Sequence, residues 1–488
     1  MQNTENTAFA ALDIGTSQVK LGVYCPRLSS RIVLINNLPN PLIQGSSGAV
    51  QASYKPIRKK CFQLLKELGS FLQQHKISKL YLGICGHVSS LIEWNKLKGA
   101  PPPTPFPTWL DTTSYESLDE YRDLMGQGKS RHIIGTMLPA GTNWLLTKLL
   151  HRKKAGFAAG TVFLQVGDAL FYELCGQYQT HFSSQISMVN IKKRVYAPEL
   201  LDHLEIDHSY LPAIQDAPQP ILESLKKEAG FPAESFVFPA MADLYTSLYG
   251  LRLQDREGFM LANTSEQAGA FYSRQPRELD NFLGISFYPG FVNYGSTNTG
   301  GNIVQWFVNQ VLNKKGTPAT LEQLSSKAAA IGPADTPIIL PYLQGERAPL
   351  WNSRLTASIL ELRSAHTEAH LFRAILESIA FARKQCFEGI GISELELIKM
   401  GGGSSKNKLW NSIRASTLNK RLCIADEKEL TLAGLVDHMI EWKKGDDTKP
   451  LINFSSVEPH PDWIGVYEEK YRRFVRYHEQ LYSTKSAS

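Results

Sequence analysis

The sequence predicts an α/β protein of two large domains. Three observations predict it: strand-like and helical patterns alternate along the chain, its 488 residues are too many for one core, and 43% of them are hydrophobic. A single core stops growing beyond roughly 250–300 residues, so a chain of this length divides. This much apolar material excludes disorder as the main state. The net charge of +6 is spread along the chain rather than gathered into a basic face, which argues against a nucleic-acid partner. No run of about 18 apolar residues occurs, so no segment is expected to span a membrane. Residues Met1 to Glu5 lack the basic start of a secretory signal. The six cysteines form no C-x-x-C pair and read as small buried hydrophobes in a reducing compartment. The expectation is a soluble, cytoplasmic protein.

The elements follow in order. Residues 9–24 give two apolar strands around the turn Gly15-Thr16-Ser17, a β-hairpin. Residues 79–85 form a short buried strand leading to Gly86, and the proline-rich stretch 99–107 is extended loop. A strand over 235–241 leads to a helix from Asp243 to about Leu251. A second hairpin spans 258–272, with the turn Asn263-Thr264-Ser265 lying 248 residues after the first. Two such hairpins half a chain apart are what an internally duplicated, two-lobed protein leaves in its sequence. Gly300-Gly301-Asn302 turns into a helix, and Leu371, Phe372, Ile375, Leu376, Ile379 and Phe381 mark another over about 368–387, with Gly389 as its stop. A strand over 396–399 meets the glycine run 401–403 before a further helix. The last helix, about 466–482, carries Tyr467, Tyr471, Phe474 and Leu481 as a stripe packed on the body, with Lys470, Arg472, Arg473 and Arg476 solvated.

Some of these segments can carry chemistry. A Gly-Thr-Ser turn presents backbone N–H groups and two hydroxyls, which suits a phosphate, although a plain hairpin turn has the same residues. Lys20 would add a positive charge, and Asp13 is a hard oxygen ligand able to hold Mg²⁺ directly or through water. The two matching hairpins favour phosphate. Glycines at 402 and 403, and at 300 and 301, allow a flat or anionic ligand close to the backbone, or form tight turns and nothing more. Asp243 reads as a helix N-cap, a role compatible with a general base at the end of a core strand. Trp109-Leu110-Asp111 sets an aromatic ring beside a carboxylate, a pairing that suits polyols and is also common in structural loops. No G-x-x-x-x-G-K-[ST], H-E-x-x-H or G-x-S-x-G string exists, which disfavours a P-loop, a metalloprotease and a serine hydrolase.

Taken in order, the segments resemble the FGGY carbohydrate kinases, a branch of the actin and hexokinase superfamily, with motif spacing most similar to the ketose kinases that act on sedoheptulose and xylulose. Residues 13–20 resemble the first phosphate motif, 82–86 and 109–111 the sugar-pocket segments, 239–243 the base motif, 263–265 the second phosphate motif, and 400–406 the adenosine motif, with Glu429 to Gly434 its downstream partner. Segments 299–302, 342–349 and 373–381 are similar to further family segments of the second lobe. The resemblance implies two actin-like ATPase lobes, 1–250 and 251–488, around a central cleft. It also implies ATP-dependent phosphorylation of a hydroxyl, a primary one, of a free sugar or polyol, most simply a ketose such as sedoheptulose or a pentulose. On this reading Asp243 is the base. Asp13, Gly15, Thr16, Ser17, Lys20, Thr264, Ser265, Gly300, Gly301, Gly402, Gly403 and Asn407 hold ATP, with Mg²⁺ on Asp13, and His87, Trp109, Asp111 and Asp243 meet the substrate. A homodimer is left open.

The chain departs from the family pattern mainly in the sugar pocket. Gly86-His87-Val88-Ser89 stands for the usual Gly-Gln-Met-His, Thr113 for an Arg, and Phe182 for an Asp, with Ser184 and Ser187 retained. Ala242 and Asn263 replace glycines of the base and second phosphate motifs. The alternatives are a catalytically silent sugar- or nucleotide-binding regulatory protein and a non-kinase actin-like ATPase.

Overall fold

A computed structural model of the chain describes residues 6–99, 104–126, 128–274, 279–287, 289–427, 429–444 and 451–482. It separates into two units, Met1–Gly250 with Glu429–Leu451, and Leu251–Lys428 with Ile452–Ser488.

In the first unit, the strands Thr7–Ile14 and Gln18–Tyr24 form the expected hairpin, and Lys79–Gly86 lies parallel to the first of them. The strands are almost wholly apolar because the sheet is covered, as parallel pairing usually demands. The sheet continues through Val33–Pro39 on one side and through Glu234–Val237 and Gln219–Pro220 on the other, seven strands in all with Met241–Ala242. The helix Tyr54–Gln74 turns Ile57, Cys61, Leu64, Leu65, Leu68 and Leu72 inward at helical spacing into the core of this sheet. The strand expected over 235–241 is two short pieces, Glu234–Val237 and Met241–Ala242, because Pro239 between them cannot donate to a ladder. Residues 100–103 of the proline-rich stretch lie outside the described residues, while Phe106–Pro107 pairs with Val50–Ala52.

The second unit repeats the pattern. The hairpin Gly258–Ala262 and Glu266–Tyr272 takes a parallel neighbour, Ile398–Gly401, in a second seven-stranded sheet. The helix Glu368–Ile390 is the expected one, extended past Gly389 to a stop at Gly391, whose φ of 102° is the left-handed conformation that ends helices. In the last helix, Pro461–Tyr482, Tyr467, Tyr471 and Phe474 are buried as expected, but Leu481 is exposed and Lys470 is not solvated. Lys470 is buried against Glu377 at 2.6 Å, a partner 93 residues away that local reading does not show.

The helix Leu430–Lys444 lies in the first unit. Its residues fall in the span expected for the second lobe, but it packs on the strands Thr7–Ile14, Gln18–Tyr24 and Lys79–Gly86, where Gly22 meets Leu432 and Gly83 meets Leu435. No helix among the described residues is long and apolar enough to cross a membrane.

Candidate active site

Strand register assembles the first group of candidates within the first unit. Parallel pairing sets Asp13 beside Cys85, and antiparallel pairing sets it beside Lys20. Met241 and Ala242 pair with Cys85 and Gly86, so Asp243, the next residue, leaves the sheet at the same end and opens the helix Asp243–Leu251. Its Oδ1 accepts the Leu244 N–H at 2.7 Å, so the carboxylate is fixed by the helix start it was expected to cap. Burial pushes Asp243 up to about 6. Burial, then the nearby Asp243, push Asp13 up to about 7, with Lys20 acting in the opposite direction. Asp13 Oδ1 is buried and accepts no hydrogen bond. Lys20 Nζ sits 2.7 Å from Glu429 Oε2. Beside them, Asn40 braces the first turn, its N–H donating to Ser17 O at 2.7 Å and its Nδ2 to Gly15 O at 2.9 Å. Thr16 is left half-buried and Ser17 exposed.

The second group of candidates surrounds a cavity of about 630 Å³ in the other unit, lined among others by Asn263, Thr264, Gly301, Gly403, Ser404 and Asn407. Three turns converge on it. Gly301 N–H donates to Asn263 O at 3.0 Å, Asn302 N–H to Thr264 O at 2.9 Å, and Gly403 N–H to Asn263 Oδ1 at 3.1 Å. Gly402 has φ 105°, and a Cβ there would lie 2.6 Å from Asn263 Oδ1, so the approach needs glycine. Asn407 lines the cavity with its amide committed elsewhere, Oδ1 capping the helix Lys408–Leu418 through Trp410 N–H at 3.0 Å and Nδ2 bonding Ser325. Beneath the turns Glu266 is ion-paired with Arg414 and, at 3.5 Å, with Arg383, all fully buried. Glu346 accepts Asn298 N–H at 2.6 Å and bonds the Thr299 hydroxyl, which holds the loop ahead of Gly300.

The sugar-pocket candidates lie in the first unit. His87 follows the strand Lys79–Gly86, its N–H donating to Ile14 O at 3.2 Å. It is buried with neither ring nitrogen bonded, and burial draws it down to about 4. Asp111 is buried and fully engaged, Oδ2 accepting Val50 N–H at 2.9 Å and Oδ1 accepting Thr113 N–H at 3.0 Å. Thr113 also bonds Asp111 through its hydroxyl. The carboxylate expected to take substrate protons therefore pins its own loop. Trp109 is half-buried in the turn just before it.

Residues 8–250 match the N-terminal domain, and residues 262–436 the C-terminal domain, of the FGGY family of carbohydrate kinases. The chain belongs to that family. A glycerol kinase of Thermococcus onnurineus (strain NA1) is 27% identical over 63% of this chain and 64% of its own length. A glycerol kinase of Aquifex aeolicus (strain VF5) is 22% identical over 96% and 97%. A ligand-bound xylulose kinase from Lactobacillus acidophilus superposes with a TM-score of 0.83 at 20% identity, covering 98% of this chain and 99% of that one. The FGGY fold is thus present as two actin-like α/β domains, and the chain is a carbohydrate kinase that uses ATP as phosphate donor and a small-molecule sugar or polyol as acceptor.

Within this kinase, register brings Asp13, Lys20 and Asp243 together, and three turns bring Thr264, Gly301 and Gly403 to one cavity. Sequence reading missed Cys85, which register sets beside Asp13, and the buried Glu266–Arg414 pair. It assigned Glu429 to the adenosine side, whereas Glu429 binds Lys20. Cys85 was legible in principle from its place at the end of a buried strand. The partners of Lys20 and Glu266 lie 409 and 148 residues away and leave no local signal.

Proposed function

We propose that this kinase phosphorylates a primary hydroxyl of a free ketose, sedoheptulose or a pentulose, with Asp243 as the general base. The observation that carries the reading is Asp243 itself, a carboxylate fixed by Leu244 at the same end of the sheet as Asp13. Asp243 takes the hydroxyl proton as that oxygen bonds to the γ-phosphorus and the bond from phosphorus to the leaving ADP oxygen breaks. In the same reading Gly15, Thr16 and Ser17 cradle phosphate, with Lys20 adding charge. Thr264, Ser265, Gly300 and Gly301 cradle the rest of the phosphate chain, and Gly402, Gly403 and Asn407 wall the adenosine.

Asp13 suits Mg²⁺. Its buried Oδ1 has a lone pair that no protein donor uses, and such an ion takes one or two carboxylates together with phosphate oxygens. Among the described residues no group of three or more His, Cys, Asp or Glu forms a denser metal cage. When bound, the ion neutralises phosphate charge. His87 and Trp109 meet the sugar, and Asp111 shapes that pocket through the loop it pins. The likeness to a xylulose kinase and the motif spacing favour a ketose, and the glycerol kinase relatives make glycerol the natural comparator. All six cysteines are free, which suits the cytoplasm.

The test is a coupled ADP-release screen over ketoses, polyols and aldoses, with Asp243→Asn as the blank. A ketose should raise release most. Asp243→Asn should fold and bind ATP while transfer falls by at least about 10²-fold. Glycerol as the best acceptor would overturn the ketose assignment, and near-normal turnover of the variant would remove Asp243 from its role. If no acceptor rises above the blank, the regulatory reading replaces the catalytic one.

A further inference from the structure

Asn263 is the residue on which the three turns around the cavity of the second unit depend. Its carbonyl accepts Gly301 N–H at 3.0 Å and its side-chain Oδ1 accepts Gly403 N–H at 3.1 Å, so a single residue ties the Gly300–Gly301 turn and the 402–403 turn to its own. An N–H donor can only face the amide oxygen, and this bond therefore fixes which end of the side chain is which. Nδ2 is the free end. It bonds no described residue, and Asn263 is exposed and lines the 630 Å³ cavity next to Thr264. The bond also occupies Gly403 N–H, a donor that a glycine turn would otherwise offer a ligand. The side chain thus removes one backbone donor from the cavity wall and supplies an amide donor beside Thr264 instead.

We propose that Asn263 is a positioning residue for the nucleotide's phosphate chain: Oδ1 locks the 402–403 turn in place while Nδ2 donates a hydrogen bond to a phosphate oxygen. The inference rests on reading this cavity as the ATP site. It goes beyond that reading by assigning the discrimination between phosphorylated and unphosphorylated nucleoside to a side chain that stands where the resembling motif has none.

Calorimetric titration of the full chain with ADP and with adenosine separates the parts. Asn263→Asp keeps an oxygen for Gly403 N–H but turns the free donor into a negatively charged acceptor. Its preference for ADP over adenosine should fall by about tenfold or more, with adenosine affinity within about twofold of the unaltered chain. Asn263→Gly removes both side-chain contacts but frees Gly403 N–H, so its ADP preference should fall by less than that of Asn263→Asp. Melting curves of each variant show that it is folded, and Asn263→Gly carries the test if the carboxylate variant is not. Loss of ADP and adenosine affinity in equal proportion would reduce Asn263 to a structural strap and overturn the proposal, as would an unchanged preference in the folded variants. If the unaltered chain bound neither ligand, the ATP-site reading itself would fall and this inference with it. That result is distinct from a normal titration of the unaltered chain with an unchanged variant.

Discussion

Asp168 lies fully buried in the first turn of the helix Val166–Cys175, where its Oδ2 accepts Gln165 N–H at 3.0 Å and its Oδ1 bonds nothing. Burial pushes it up to about 7, against the bonds from Thr180 and Gln165, so the folded chain holds this proton more tightly than the unfolded chain does. Its contribution to stability is therefore full below about pH 4, where the unfolded residue is protonated too, and is lost as the pH rises through about 7. Asp168→Asn keeps the capping oxygen and removes the ionisation. Urea denaturation should find the variant close to the unaltered chain at pH 4 and more stable by on the order of 2–4 kcal/mol at pH 8. An equal difference at both values would show that the folded and unfolded chains hold the Asp168 proton equally tightly. Asp243 and Asp13 are raised by the same desolvation, but there the cost falls on the residues assigned to proton transfer and Mg²⁺. Stability conceded at residues that carry chemistry is a common pattern. At this scale the sequence singled out Asp13 and Asp243 but not how they are held, and it passed over Asp168, because desolvation and neighbours such as Cys85 come from packing.

The helix Leu430–Lys444 shows the same division among elements. The sequence reading named only Glu429 to Gly434 here, as the downstream partner of the adenosine turn, and gave neither the helix nor its place. What seats it is a close backbone approach: a Cβ on Gly434 would lie 1.8 Å from Thr246 O and 2.6 Å from Gly250 N, both in the helix that Asp243 opens. Ser247 and Thr431 bond across the same contact at 2.9 Å. Gly434→Ala must force the two helices apart, and overpacking of this kind costs about 1–3 kcal/mol. Chemical denaturation should show that loss, and turnover should fall further than the lost stability accounts for, because the displaced helix opens at Asp243, the proposed base. A variant as stable and as active as the unaltered chain would mean that the contact is looser than it stands here. Elements whose signal is local were legible in this way: both hairpins, the buried strand at 79 and the long helix at 368. The end of that helix at Gly391 rather than Gly389, the break at Pro239 and the burial of Lys470 were not, since each is decided by a partner remote in sequence or by the turn the chain must make next.

Across the whole molecule, two seven-stranded sheets each set a hairpin beside a parallel strand, and each hairpin turn lies at the end where that parallel strand finishes. The echo between Thr16 and Thr264 in the sequence thus reflects equivalent places in two similar units, although the chain returns to the first unit only after residue 428. The two units carry different chemistry on this shared plan. The first holds a pair of raised carboxylates and the buried His87, and the second holds a cavity of nucleotide size. Ligands should therefore leave separate footprints. In hydrogen exchange read by mass spectrometry, ADP should slow the amides of 263–265, 300–302 and 402–407, because donors in those turns become ordered around a bound molecule. A sugar accepted in the ADP-release screen should slow 86–91 and 109–113 when added without nucleotide. Each footprint should fade on dilution below the ligand's dissociation constant, as mass action requires. ADP protection confined to the 15–17 turn, with none at 263–265 or 402–407, would refute the assignment of the nucleoside to the second unit even if the chain proved an active kinase. Sugar protection restricted to the second unit would likewise remove His87 and Trp109 from the acceptor pocket.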